Sequence, residues 1–269
     1  MAQARIIFIV LILLAGVSQS HAVTGGKFTY DPRHAAVVGI TECSGTFIAP
    51  RVILTAAHCI YKVVDKEIKI ALQRRNSTTS VQVAAAIEHP SYMDEEEIAA
   101  EMKKYAGLTD QEKSDKANSL RRNDIGLIFL ERDITEPTIL AAIPVLDSPP
   151  VEPPATAVAI AMGHLKVYRG TAVFDADSKS VKSTLGLSFL QEYVGFWIFL
   201  ASKSGSGFCK GDSGGGVFVN DESPLRYLGV IVGKGDWCGK DGSWQGVEPV
   251  HVHMPWILNE LKIRGLSLN

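Results

Sequence analysis

Charge imbalance is all but missing from this chain. Lysine and arginine total 27 against 29 aspartates and glutamates, a formal net charge of -2, so nothing in the balance provides the basic surface that nucleic acid requires. Cysteines are scarce: the four present allow three pairings. Long apolar runs are missing too, apart from one near the start. There Arg5 precedes ten apolar residues, Ile6 to Ala15, too few for the roughly 18 to 20 that span a bilayer. A polar stretch ending Ser20-His21-Ala22 follows, with small residues where signal peptidase cuts. Residues 1–22 therefore read as a secretory signal peptide removed after Ala22, with an uncleaved anchor as the lesser alternative. The mature chain is expected to be secreted, with its cysteines oxidised and no membrane attachment. No internal repeat is evident.

Apolar residues make up 46% of the chain and charged ones 21%, a balance that suits a folded protein with a sizeable core. Twelve prolines and twenty-four glycines accompany it, as suits a loop-rich β protein. From residue 36 to 70, short apolar runs at 36–40, 45–48, 52–54 and 68–70 are bounded by turn residues, the pattern of an all-β chain. Further strands are expected at 155–161, 181–189, 193–201 and 227–232. Between them Asp147-Ser148-Pro149-Pro150-Val151-Glu152-Pro153-Pro154 reads as an extended linker. Pro255-Trp256-Ile257-Leu258-Asn259-Glu260-Leu261 reads as a short helix with proline in its first turn. Asn76-Ser77-Thr78 is a glycosylation sequon, used only in a eukaryotic host.

The segment at about 93–122 has a different texture. Asp94-Glu95-Glu96-Glu97 leads into Ile98-Ala99-Ala100-Glu101-Met102-Lys103-Lys104, acids first and bases last, as a helix prefers. Gly107 interrupts, and Thr109 with Glu112 three residues on forms a capping box for a second helix. The acidic run reads as a solvated helix start in preference to a cation site. His251-x-His253 would place two imidazoles on one strand face, but without further ligands no metal is expected there.

The chemistry concentrates in Cys209-Lys210-Gly211-Asp212-Ser213-Gly214-Gly215-Gly216. Glycines bury little surface and lose much backbone freedom on folding. Here they let the chain turn sharply, present the Ser213 hydroxyl and aim the amides of Gly211 and Ser213 at one point, the arrangement of an oxyanion hole. Two distant stretches add the remaining groups. Thr55-Ala56-Ala57-His58-Cys59 ends an apolar run with a histidine, and Asn123-Asp124-Ile125-Gly126-Leu127-Ile128-Phe129-Leu130 begins one with an aspartate.

TAAHC, NDIGLIFL and GDSGG, in that order, resemble the three signatures of the trypsin/chymotrypsin-like serine peptidases, over residues 23 to about 261. The resemblance implies an all-β fold of two six-stranded antiparallel β-barrels packed face to face, with a short C-terminal helix and, in this chain, a helical insertion in the first half. The first barrel would occupy about 23–146, the linker 147–154, the second barrel about 155–254 and the helix about 255–263. It implies a serine endopeptidase with His58, Asp124 and Ser213 as catalytic triad and an oxyanion hole at the Gly211 and Ser213 amides. It pairs Cys43 with Cys59 and Cys209 with Cys238, leaving no cysteines for the family's other common bridges. A mature terminus at Val23-Thr24-Gly25-Gly26 would put its ammonium beside Asp212, with no propeptide intervening. The insertion would overhang the substrate cleft.

Six residues before the nucleophile, where trypsin-like members carry a carboxylate, stands Gly207. With Gly235 and Gly246 as walls, the specificity pocket would be an uncharged slot suited to large apolar or aromatic side chains, with Asp236 at its rim. Gly233-Lys234-Gly235 stands where the family has Ser-Trp-Gly, and Gly216 replaces a common proline. The expected partners are polypeptide substrates and protein inhibitors, for a monomer needing no metal or organic cofactor. The competing reading is an idle homologue acting as a binding or regulatory module.

Overall fold

The computed structural model describes residues 23–40, 42–63, 67–71, 78–146, 150, 152–163, 165–168, 171–174, 182–219, 224–234, 238 and 240–268. The readings made above for residues 1–22, Asn76, Gly235, Asp236 and part of the linker fall outside them. Strand β1 (Lys27–Phe28) is followed by β2 (Val37–Ile40), β3 (Cys43–Ala49), β4 (Val52–Thr55), β5 (Glu67–Ala71), β6 (Thr78–Glu88) and β7 (Gly126–Leu130). Strands β2 to β7 close into a six-stranded antiparallel barrel in the order β2-β3-β4-β7-β6-β5. Its wall buries branched and aromatic side chains on both faces, among them Phe47, Ile53, Leu54, Ile68, Ile70 and Leu127, each at most 2% exposed. Such residues suit a pleated surface and stay out of water once the sheet has curled on itself.

The second half carries β8 (Thr156–Ala161), the hairpin β9 (Leu165–Tyr168) and β10 (Thr171–Phe174), then β11 (Ser183–Tyr193), β12 (Phe196–Ala201), β13 (Gly216–Val219), β14 (Tyr227–Lys234) and β15 (Trp244–Pro249). The order β11-β12-β15-β14-β13-β8 returns to its start through a β11–β8 pairing, which makes a second six-stranded ring; β1 is added beside β11. One apolar core runs from the first barrel into the second, joining Phe47 and Leu127 to Ile160, Phe218, Tyr227 and Val230. A second, within the later half, gathers Val23, Leu187, Trp197, Phe199 and Phe208.

Helix α1 (Glu95–Met102) and helix α2 (Asp110–Leu120) form the insertion. Both open on capping boxes, Asp94 with Glu97 and Thr109 with Glu112, so the acids at these starts satisfy amides that a helix leaves unpaired. Helix α3 (Pro137–Ala141) follows β7, and α4 (Met254–Ile263) ends the fold. Two expectations are corrected. Tyr193 ends β11 and does not begin the next strand, because Val194 and Gly195, with φ of 44° and 90°, turn the chain between them. His251 and His253 lie in a 3-10 helix, Val250–His253, not on a strand face.

Candidate active site

The register of β4 with β7 places the first two functional groups. Thr55 faces Gly126, so His58, three residues beyond Thr55, and Asp124, two before Gly126, emerge at the same end of adjacent strands. Asn123 adopts a left-handed conformation with φ of 63°, which asparagine tolerates, and its side-chain amide donates to the Ser91 carbonyl at 3.2 Å. The aspartate that follows is thereby aimed at the histidine. Its Oδ2 lies 2.7 Å from His58 Nδ1, and its Oδ1 accepts from the His58 backbone amide at 2.9 Å. Asp124 is buried while the imidazole is partly open. Held at both oxygens, the carboxylate fixes the ring's orientation and favours the tautomer with its proton on Nδ1, which leaves Nε2 free to accept one.

The third group comes from the second half. Gly211 and Gly214 have φ of 89° and 82°, and a Cβ at Gly214 would lie 2.1 Å from both the Ser44 carbonyl and Thr55 Oγ1. Only glycine fits that approach. Ser44, on β3, holds the loop from the opposite barrel. Its amide donates to the Ser213 carbonyl at 2.7 Å, and its hydroxyl donates to the Gly211 carbonyl at 2.8 Å while accepting from the Met162 amide at 2.9 Å. Thr55 in turn donates to the Ser44 carbonyl at 2.8 Å. No motif marks Ser44 in the sequence; its role arises from strand register alone.

The disulfides Cys43–Cys59 and Cys209–Cys238 have Cα separations of 6.1 and 5.2 Å. Cys59, next to His58, brings its sulfur within 3.8 Å of the Ser213 carbonyl. This is a packing contact, since a bridged sulfur has no proton to donate. The cluster of Cys43, His58 and Cys59 offers no thiolate for a metal for the same reason. His253 pairs with Glu248 at 2.6 Å and His251 stacks on Trp197, so the two imidazoles engage different partners.

Asp212 is wholly buried. Its Oδ2 accepts from the Cys209 amide at 2.7 Å, and its Oδ1 has no partner among the described residues. Burial pushes its carboxyl up to about 8, against the opposing pull of the Cys209 and Gly163 amides. Nearby, Val23 is fully buried, and Thr24 and Gly207 exchange backbone hydrogen bonds of 3.1 Å in both directions. A side chain at Gly207 would meet the Gln245 carboxamide, whose Nε2 lies 3.1 Å from the Cβ position. Gln245 is buried and accepts from the Phe208 amide at 2.5 Å. Gly246 pairs with Gly233 across β15 and β14, and the Trp244 indole covers both, 3.0 and 3.6 Å from their Cβ positions. The bare surfaces of these glycines are thus dressed by Gln245 and Trp244, two residues that carry no motif.

Two closed antiparallel β-barrels, with a histidine–aspartate pair at the end of one and a glycine-rich serine loop from the other gripped against it, define the chymotrypsin fold. The family model for trypsin matches residues 23–257, and the chain belongs to that family. It is similar to CLIP domain-containing serine protease B10 of Anopheles gambiae, 25% identical over 255 residues, covering 82% of this chain and 62% of that protein. It is also similar to Serine protease 7 of Drosophila melanogaster, 26% identical over 245 residues, covering 82% of this chain and 58% of the relative. The chain thus spans about three-fifths of the length of these curated relatives.

Proposed function

We propose that this chain is a secreted serine endopeptidase. Ser213 attacks the scissile carbonyl, His58 takes its proton and returns it to the leaving amine, and Asp124 holds the ring and stabilises the imidazolium. The observation that carries the reading is the 2.7 Å contact of His58 Nδ1 with Asp124 Oδ2. The loop supports it. The amides of Asp212, Gly214 and Gly215 donate to Cys209, Ile231 and Asp212 carbonyls, whereas those of Gly211 and Ser213 have no backbone partner among the described residues. Two spare donors beside the serine suit an oxyanion.

The orphaned Oδ1 of Asp212 favours an activating partner. A free ammonium at Val23 would supply the missing donor and return the carboxyl to its charged form, locking the loop in one conformation. The uncharged surroundings of Gly207 and Gly246 favour a large apolar or aromatic residue before the cleaved bond. A lysine or arginine there would be desolvated without an ion pair.

The test compares a chain beginning at Val23 with its Ser213→Ala variant on peptides carrying Phe or Arg before the cleavable bond. The expected result is cleavage after Phe, lost by several orders of magnitude in Ser213→Ala while the fold persists. Equal activity of the two proteins, or a strong preference for Arg, would reject the triad or the pocket respectively. A chain that fails to react with a phosphonylating serine reagent would be the idle homologue instead.

A further inference from the structure

Close to the His58–Asp124 pair lies a second pairing of imidazole with carboxyl, one that the proposed chemistry does not use. Glu248 stands two residues past Gly246 on β15 and so shares its face, and Gly246 lines the cavity that opens on His58 and Asp124. Glu248 Oε1 lies 2.6 Å from His253 Nε2 and both residues are 3% exposed, while Glu248 Oε2 has no partner among the described residues. Burial pushes the Glu248 carboxyl up and the bond to His253 pulls it down, with the charges of Asp124 and Arg122 acting on it in opposite senses. These groups therefore share one small region. His253 in turn has His89 and His251 as titratable neighbours.

The pair reaches the Asp124 segment through His89. The His89 ring meets that of His253 edge-on, with 5.0 Å between centroids, and that of Trp256 on α4 at 4.9 Å. Its amide donates to the carbonyl of Ile125, one residue past Asp124, at 2.9 Å. Its Nδ1 accepts from the Ser91 amide at 3.2 Å, and the Ser91 carbonyl takes the bond from Asn123, one residue before Asp124. An accepting Nδ1 carries no proton, and burial together with His253 holds the His89 pKa down to about 4. Asp124 is thus gripped on either side by a turn whose histidine rests on His253.

We propose that Glu248 and His253 are positioning residues for Asp124: the buried pair sets the His89 ring, and His89 holds the turn that aims the aspartate at His58. The proposal rests on the endopeptidase reading and adds two residues to its machinery. Core filling does not account for the pair. Burying a carboxyl and an imidazole forfeits hydration that apolar side chains of similar size do not, and Oε2 is left without a partner. What the pair gains over an apolar filling is direction, because a hydrogen bond orients the imidazole plane and an apolar contact does not. His253 also ends the 3-10 helix Val250–His253 where it runs into α4, so its backbone is anchored as well.

The test uses the chain beginning at Val23 and its double variant Glu248→Leu/His253→Phe, in which an apolar pair of similar volume is expected to fold. Labelling of the parent by a phosphonylating serine reagent first establishes the peptidase. The double variant should lose about 10- to 100-fold in kcat on a Phe peptide, with KM changed by less than about twofold. The proton on His58 Nδ1 supplies a readout that core packing alone would not move. Its far-downfield NMR resonance reports the bond to Asp124 and should shift upfield in the variant. Glu248→Gln, which keeps an acceptor for His253, should retain most of the turnover and the parental resonance. A double variant with parental kcat and resonance would overturn the proposal. If it fails to fold, His89→Phe takes its place, since this partly buried ring keeps its aromatic contacts and loses the Nδ1 acceptor; unchanged kcat and resonance there would overturn the proposal equally. Should the parent resist labelling, the peptidase reading falls separately, and the bracing of Asp124 is judged by the resonance alone.

Discussion

The Ser44 hydroxyl donates to the Gly211 carbonyl at 2.8 Å, a bond that fastens the glycine-rich serine loop of one barrel to a strand of the other. The Ser44 oxygen has no exposure to water and also accepts from Met162. Ser44→Ala strands that amide and that carbonyl, a cost of about 1–3 kcal/mol. Thermal unfolding should register the loss, and the rate of phosphonylation at Ser213 should fall as the loop loosens. A variant unchanged in both would show that Ser44 merely fills space.

Gly214→Ala tests the same seam from the other side. Its Cβ would overlap the Ser44 carbonyl and Thr55 Oγ1 at 2.1 Å in a backbone conformation that disfavours any side chain. Activity is expected to disappear, with stability lowered by more than the roughly 1 kcal/mol typical of a point mutation. The measurement is kcat/KM beside a denaturant melt; an alanine variant with near-native turnover would contradict the packing.

Lys182 gives a pH dependence. Its side chain is wholly buried and Nζ donates to the His34 carbonyl at 2.7 Å. Burial pulls its pKa from 10.5 down to about 7. Between those two values the unfolded chain holds a proton that the fold has released, so this residue makes stability rise with pH across that window, by at most about 1.4 kcal/mol per pH unit. Below about pH 7 both states are protonated and the penalty is constant. Lys182→Met should remove the slope and stabilise the protein at neutral pH. Denaturant melts of both proteins at pH 7 and pH 10 decide this; parallel pH profiles would refute it.

Asp212 responds in the opposite sense while nothing charged faces it. Its pKa is raised from 3.8 to about 8, so it costs stability progressively as pH climbs through that interval. In a chain extended ahead of Val23, Asp212→Asn should therefore raise the melting temperature at pH 8. In a chain beginning at Val23 the same change should lower activity sharply, because the ammonium loses its partner. Equal effects in the two forms would argue against the proposed pairing.

The three candidate catalytic stretches are legible in the sequence because each is local. An apolar run ending in His58, an aspartate opening another and a serine among glycines announce themselves within a few residues, as do the capping boxes at Asp94 and Thr109. The rest depends on register and distance. Ser44 is an ordinary strand serine until β3 is laid against the loop of the other half. The hydrogen bond between Tyr193 and Asp115 spans 78 positions, and neither residue advertises it. Gly207 and Gly246 were readable as open surface, but not the side chains of Gln245 and Trp244 that lie against them. The turn at Val194 is not legible in the sequence, because a β-branched residue is a poor candidate for φ of 44°, a conformation costing about 1–3 kcal/mol that the surrounding contacts must offset.

The return of β11 onto β8 has a consequence for how the fold meets other extended chains. A ring of strands presents no open row of amides and carbonyls onto which a stray peptide could zip, and both six-stranded rings here are joined end to end. Among the described strands, open edges are then left to two-residue β1 and to the β9–β10 hairpin, so the two rings themselves give another copy of the chain little to add to.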